Sequence, residues 1–175
     1  MFMIGVHGDR ALQLTGREAV QYSMDWTIPC NALWNAELIK RLGYADFAYN
    51  ADEYSGRTFF LHCNKVVFSE GEFRYRQDNA NAITKTTTYR GFDAAYTHFK
   101  LFLWLRENQF PAELFAMEAQ RAMRAFERMQ QWFVLAAPHL SEFDRSEADR
   151  LSGRCEAVLR AHGIYDIFAA KETTA

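Results

Sequence analysis

The chain has 175 residues, enough for one domain that buries roughly 70% of the surface of its unfolded form and short for two. Its 49% hydrophobic and 24% charged residues, with a formal charge of −2, are those of an ordinary soluble globular protein, and 15 Phe with 4 Trp predict a core of large rings. Three cysteines, Cys30, Cys63 and Cys155, are an odd number without close spacing, which excludes a disulfide framework and a four-thiolate zinc site and fits a reducing, cytoplasmic compartment.

The N-terminal MFMIGVHGDR reads as a short strand over Met1 to Val6 and a turn at Gly8-Asp9; its apolar run is too short for a signal peptide. No run approaches the roughly 20 apolar residues of a membrane span, so no membrane is expected. A helix follows from about Gly16 to Trp26, with Thr15 as cap and Glu18 three residues on as its capping-box partner.

The segment IPCNALWNAELIKRLGY begins at Ile28. Pro29 stops a preceding helix, Asn31 is a good capping type, and Leu33, Trp34, Leu38, Ile39 and Leu42 recur at helical spacing until Gly43. Cys30 is thereby expected at a helix start, where unpaired N–H groups and the helix dipole lower a thiol's pKa and can receive an oxyanion. Gly43 to Gly56 reads as a loop.

From Arg57 the period changes to two. Arg57 to Cys63, Asn64 to Ser69 and Glu72 to Gln77 read as strands, with a hairpin turn at Ser69 to Glu72, and Ile83 to Tyr89 adds a further candidate. Arg74 and Arg76 alternate with Phe73 and Tyr75, which separates charge from aromatic surface, so no nucleic-acid partner is expected. After Gly91 three helices are predicted: one patterned by Phe92, Tyr96, Phe99, Leu103 and Trp104 and ending near Asn108; one opened by Pro111 and stopping at Pro138; one capped by Ser141 with Asp144 and running towards Gly163. The aromatic and methionine stripe of the second reads as core, and Glu118 pairs locally with Arg121.

The fold class expected is α+β: a small antiparallel sheet packed on an N-terminal, nucleophile-bearing helix, followed by a C-terminal three-helix region. Residues 1–175 read as a single domain, with an α/β core over 1–90 and a helical extension over 91–170.

A cysteine nucleophile needs a base and a group to orient that base. His62 ends one predicted strand, in FFLHCNKVVF, and Asp78 ends another, in EFRYRQDN, so pairing of those strands would set imidazole beside carboxylate. The order, a cysteine at a helix start, a histidine 32 residues later and an aspartate 16 residues after that, resembles the transglutaminase-like branch of the papain-like cysteine-enzyme superfamily. That branch includes bacterial cysteine peptidases and arylamine N-acetyltransferases. The likeness covers roughly residues 28 to 80, in CNALWNAELIKRLGY and HCNKVVFSEGEFRYRQDN. It implies Cys30 as nucleophile, His62 as general base and acid, and Asp78 as the group holding the imidazole. It further implies an oxyanion donor from the Cys30 N–H with Gln21 or Trp26, and a peptide or amide substrate undergoing acyl transfer. His98, His139 and His162 lack metal-ligand spacing, so no metal is expected, nor any cofactor. The alternative is a non-enzymatic bacterial or phage accessory or inhibitor protein that binds a protein partner, or a second copy of itself, through its aromatic-rich helices.

Overall fold

The computed structural model describes residues 5–71, 78 and 87–165. The chain divides into two compact units, one of Met1–Asp46 with Ala51–Asn79, the other of Phe47–Asn50 with Ala80–Ala175.

The first unit is helical. Helix α1 (Gly16–Met24) begins where the sequence sets it: Thr15 Oγ1 accepts from the Glu18 N–H, and the Glu18 carboxylate accepts from the Thr15 N–H at 2.8 Å, a complete capping box. Helix α2 (Ala36–Leu42) is shorter than the spacing of its apolar residues predicts. Its cap is Asn35, whose Oδ1 accepts from Glu37 and Leu38, while Trp34 is drawn out of helical register to pack edge-on against Phe59 and Phe60. Gly43 ends the helix with φ +69°, in the left-handed region.

Helix α3 (Asp52–Leu61) overturns the strand expected over Arg57 to Cys63 and occupies part of the expected loop. Asp52 and Glu53 supply acidic charge to its first turn, and the buried residues Ser55, Gly56, Phe59 and Phe60 fall at helical intervals. The hydroxyls of Ser55 and Thr58 donate to the carbonyls of Ala51 and Tyr54, four residues back, which satisfies polar groups that otherwise favour a strand. Helices α1 and α3 meet closely because Gly16 has no side chain; a Cβ there would lie 2.1 Å from the Phe60 carbonyl oxygen.

The described residues contain no sheet. Pairing is limited to isolated bridges between Val6 and Asp9 and between Leu14 and Val66, so the α+β expectation is corrected to a helical fold and no sheet packs on a nucleophile helix. The expected strands over 72–77 and most of 83–89 lie outside the described residues, as does most of the strand over 1–6.

In the second unit the three expected helices are present as α4 (Gly91–Glu107), α5 (Ala112–Ala136) and α6 (Glu142–Ala161), with a 3₁₀ turn at Ala137–His139. Short connections force neighbouring helices to run antiparallel. Phe92 near the start of α4 accordingly meets Phe126 and Phe133 late in α5, while Phe102 meets Phe115 near the start of α5. Ala119, Ala122 and Ala125 keep that face of α5 narrow, and Phe99, Met123, Leu151, Cys155 and Leu159 complete the core. Ser141 caps α6 by accepting from the Asp144 N–H at 3.1 Å.

Candidate functional site

Cys30 lies in the loop between α1 and α2, five residues before the Asn35 cap, so the N–H groups and dipole of α2 are not directed at its sulfur. The loop is fixed from beneath. Ile28 is buried and its N–H donates to the Tyr22 carbonyl at 3.1 Å, which turns Cys30 onto the α3 surface at Gly56. A Cβ at Gly56 would stand 2.6 Å from the Cys30 Cβ and 3.0 Å from Sγ. Glycine is what lets the cysteine seat there.

Beside it is Arg57, buried at 2% exposure and extensively bonded. Its Nη1 donates to the Glu53 carboxylate at 2.6 Å and carbonyl at 2.7 Å, its Nη2 to the Ser23 carbonyl at 2.9 Å, and its Nε points at the Met24 sulfur at 3.2 Å. The guanidinium thus ties the C-terminal end of α1 to the first turns of α3 and neutralises Glu53. For the Cys30 thiol, burial is the dominant influence; the positive charge of Arg57 opposes it, the carboxylates of Glu53 and Asp52 reinforce it, and the thiol is pushed up to about 11. At pH 7 only about one molecule in ten thousand carries the thiolate there. That is the reverse of an activated nucleophile.

His62 is not on a strand. It is the exposed C-terminal cap of α3, with Nδ1 2.9 Å from the Thr58 carbonyl. Six residues separate it from Gly56, which in a helix is about 9 Å of rise and roughly 120° of azimuth away from the face that holds Cys30. Asp78 is exposed and belongs to no helix, and the expected strand that would carry it lies outside the described residues. Gln21 is half-buried on α1. Trp26 lies after the end of α1 with φ +67°, its ring 5.8 Å from the Arg57 guanidinium, a cation–π contact. Cys30 therefore stands in a loop and His62 at a helix end, and the strand expected to carry Asp78 lies outside the described residues.

The sequence reading passed over the more tightly organised charge clusters. In the second unit Glu118 is fully buried, with Oε2 2.7 Å from His98 Nδ1 on α4 and Oε1 accepting from Arg121 Nη1 at 2.7 Å. The local pairing with Arg121 was legible; the bond to α4 was signalled only by Glu118 falling one turn before Ala122 on the apolar stripe. Burial pushes the Glu118 carboxyl up, but the hydrogen bond and charge of His98 and the charge of Arg121 outweigh it, so it lies below the ordinary carboxylate range. Among the described residues no group of three or more His, Cys, Asp and Glu is placed to hold a metal ion, and no helix is long and apolar enough to cross a membrane.

The other distinctive surface is at the turn between α5 and α6. The last turns of α5 read Trp132-Phe133-Val134-Leu135-Ala136, apolar on every side. Phe133 and Trp132 pack against the core, which directs Val134 and Leu135 outward at 73% and 77% exposure. Phe143, in the first turn of α6, is 66% exposed with one edge on Tyr89. Arg145 of α6 donates to the Ala137 carbonyl at 2.7 Å and fixes the turn between them.

Comparisons with family models, with curated proteins and with solved structures return no match for this chain.

Proposed function

We propose that the chain is a non-enzymatic binding protein that engages a protein partner through the turn end of the α5–α6 hairpin. The observation that supports this reading is the exposure of Val134, Leu135 and Phe143 within ten residues of one another at the joined ends of two helices. A helix that is apolar all round is ordinarily buried, and burying a large aliphatic or aromatic side chain contributes about 1.5–3 kcal/mol. Such a surface is the usual core of a protein interface when charged residues rim it. Here Glu127, Arg128, Glu142, Asp144 and Arg145 mix both signs, which suits a protein surface better than an anionic membrane. The raised thiol pKa of Cys30 lends no support to nucleophilic chemistry there.

The test places a photo-reactive phenylalanine analogue at Leu135 and, as a control, at exposed Gly153 on α6, in cells making the full chain. A discrete cross-linked species is expected from position 135 alone, and Val134→Glu in the same chain should abolish it. Its mass distinguishes a second copy of the chain from a different protein. Identical patterns from positions 135 and 153 would refute the reading.

A further inference from the structure

The second unit includes four residues that are remote in sequence from the rest of it, Phe47–Asn50. They lie across α4 and α6 as a strap. The Phe47 carbonyl accepts from Arg154 Nη1 of α6 at 3.3 Å, the Tyr49 N–H donates to Asp93 Oδ2 of α4 at 3.3 Å, and Asn50 Oδ1 accepts from the Thr97 hydroxyl at 2.8 Å. The Phe47 ring meets Tyr96 edge-on at 5.8 Å, with the Lys100 ammonium 5.7 Å from its centre.

The strengths of these contacts are uneven. Arg154 and Asp93 hold each other at 2.7 Å, and the Arg154 guanidinium lies 3.9 Å over the Tyr96 ring, none of which involves the strap. The two main-chain bonds of the strap are both 3.3 Å, beyond the usual N–H···O range, and Phe47, Ala48 and Asn50 are only half-buried with Tyr49 exposed. Arg154 Nε is buried and has no hydrogen-bond partner among the described residues. Lifting the strap therefore loses two long main-chain bonds and the 2.8 Å bond of Asn50 to Thr97, and leaves the Arg154–Asp93 pair made.

We infer that Phe47–Asn50 is a releasable strap: it opens from α4 and α6 as a local unit while the helices stay packed, uncovering a cationic and aromatic surface formed by Tyr96, Lys100 and Arg154. Segments that open locally are those with exposed backbone bonds and little buried apolar area. The Phe47 ring keeps the closed form dominant.

Amide hydrogen exchange of the full chain, read by NMR, tests this. The Tyr49 amide should be protected, yet by a factor roughly tenfold or more below that of Phe99 in the buried core of α4. Asn50→Ala should lower protection at Tyr49 further and leave Phe99 unchanged; Arg154→Met provides the second variant through the Phe47 carbonyl. Protection at Tyr49 equal to that at Phe99 would show that the strap opens only when the unit unfolds. No protection at all would show that it is never closed. Either result, or a loss at Phe99 that parallels Tyr49 in both variants, overturns the inference.

Discussion

Removing both hydrogen-bond partners of Glu118 should destabilise the α4–α5 pair strongly and alter its pH dependence. In the native protein the carboxylate has no exposure and both oxygens are bonded at 2.7 Å, one to His98 and one to Arg121. The double variant His98→Leu, Arg121→Leu leaves that charge buried and uncompensated, for which a loss of about 3–5 kcal/mol is expected. Adding Glu118→Leu removes the buried charge itself and should restore most of it, because isolated pairs are often replaceable by apolar residues of like volume. The sign of the pH dependence distinguishes these states. With its partners in place the pKa of folded Glu118 is depressed, so its contribution is present above the unfolded value of about 4.3 and is lost as pH falls through the folded one. In the double variant burial acts alone and raises the folded pKa. The penalty should then be absent in acid below the unfolded value and grow as pH rises through the folded one. Urea unfolding of the three proteins between pH 4 and 8, followed by far-UV circular dichroism, measures both effects. A double variant within about 1 kcal/mol of wild type, or one whose stability follows pH as the wild type's does, would refute the reasoning.

Two other outcomes concern the cysteines and the Gly56 contact. In alkylation of the native protein at pH 7.5, read by mass spectrometry, Cys30 and Cys155 should react more slowly than the less deeply packed Cys63, because burial holds their thiols up at about 11 and about 12; fastest reaction at Cys30 would contradict the account of its surroundings. Gly56→Ala should cost about 1–3 kcal/mol in urea unfolding, since the new methyl would enter the space of the Cys30 side chain, and an unchanged midpoint would mean that the loop yields.

The parts of the fold that were legible in the sequence are those in which local signals agree with tertiary packing. Thr15 with Glu18, and Ser141 with Asp144, are capping pairs that specify a helix start without reference to anything distant. The stripes of α4 and α5 are long enough for their period to be unambiguous. The α3 segment was misread because RTFFLHC is short, rich in residues that favour strands, and alternates as well as it cycles; its helical character is set by the acidic first turn upstream and by packing on α1. The expected setting of His62 followed from that strand, which is a helix end, and that of Cys30 from a helix that starts six residues later. Arg57 was counted only as one basic residue among several. Nothing in its spacing announces that it will be buried between Ser23, Met24 and Glu53, because those partners come together only when α1 and α3 pack.

The contact between the Phe47 carbonyl and Arg154 also has a consequence in time. It spans 107 residues of chain. At synthesis rates of about 5–20 residues per second, Phe47 is made roughly 5 to 20 s before Arg154 exists to bind it. Until α4 has been made the four residues have neither helix to lie on, and the α6 contact waits longer still. The earliest-made piece of the second unit can bond to α4 first, and gains its bond to Arg154 only after the last helix has been translated.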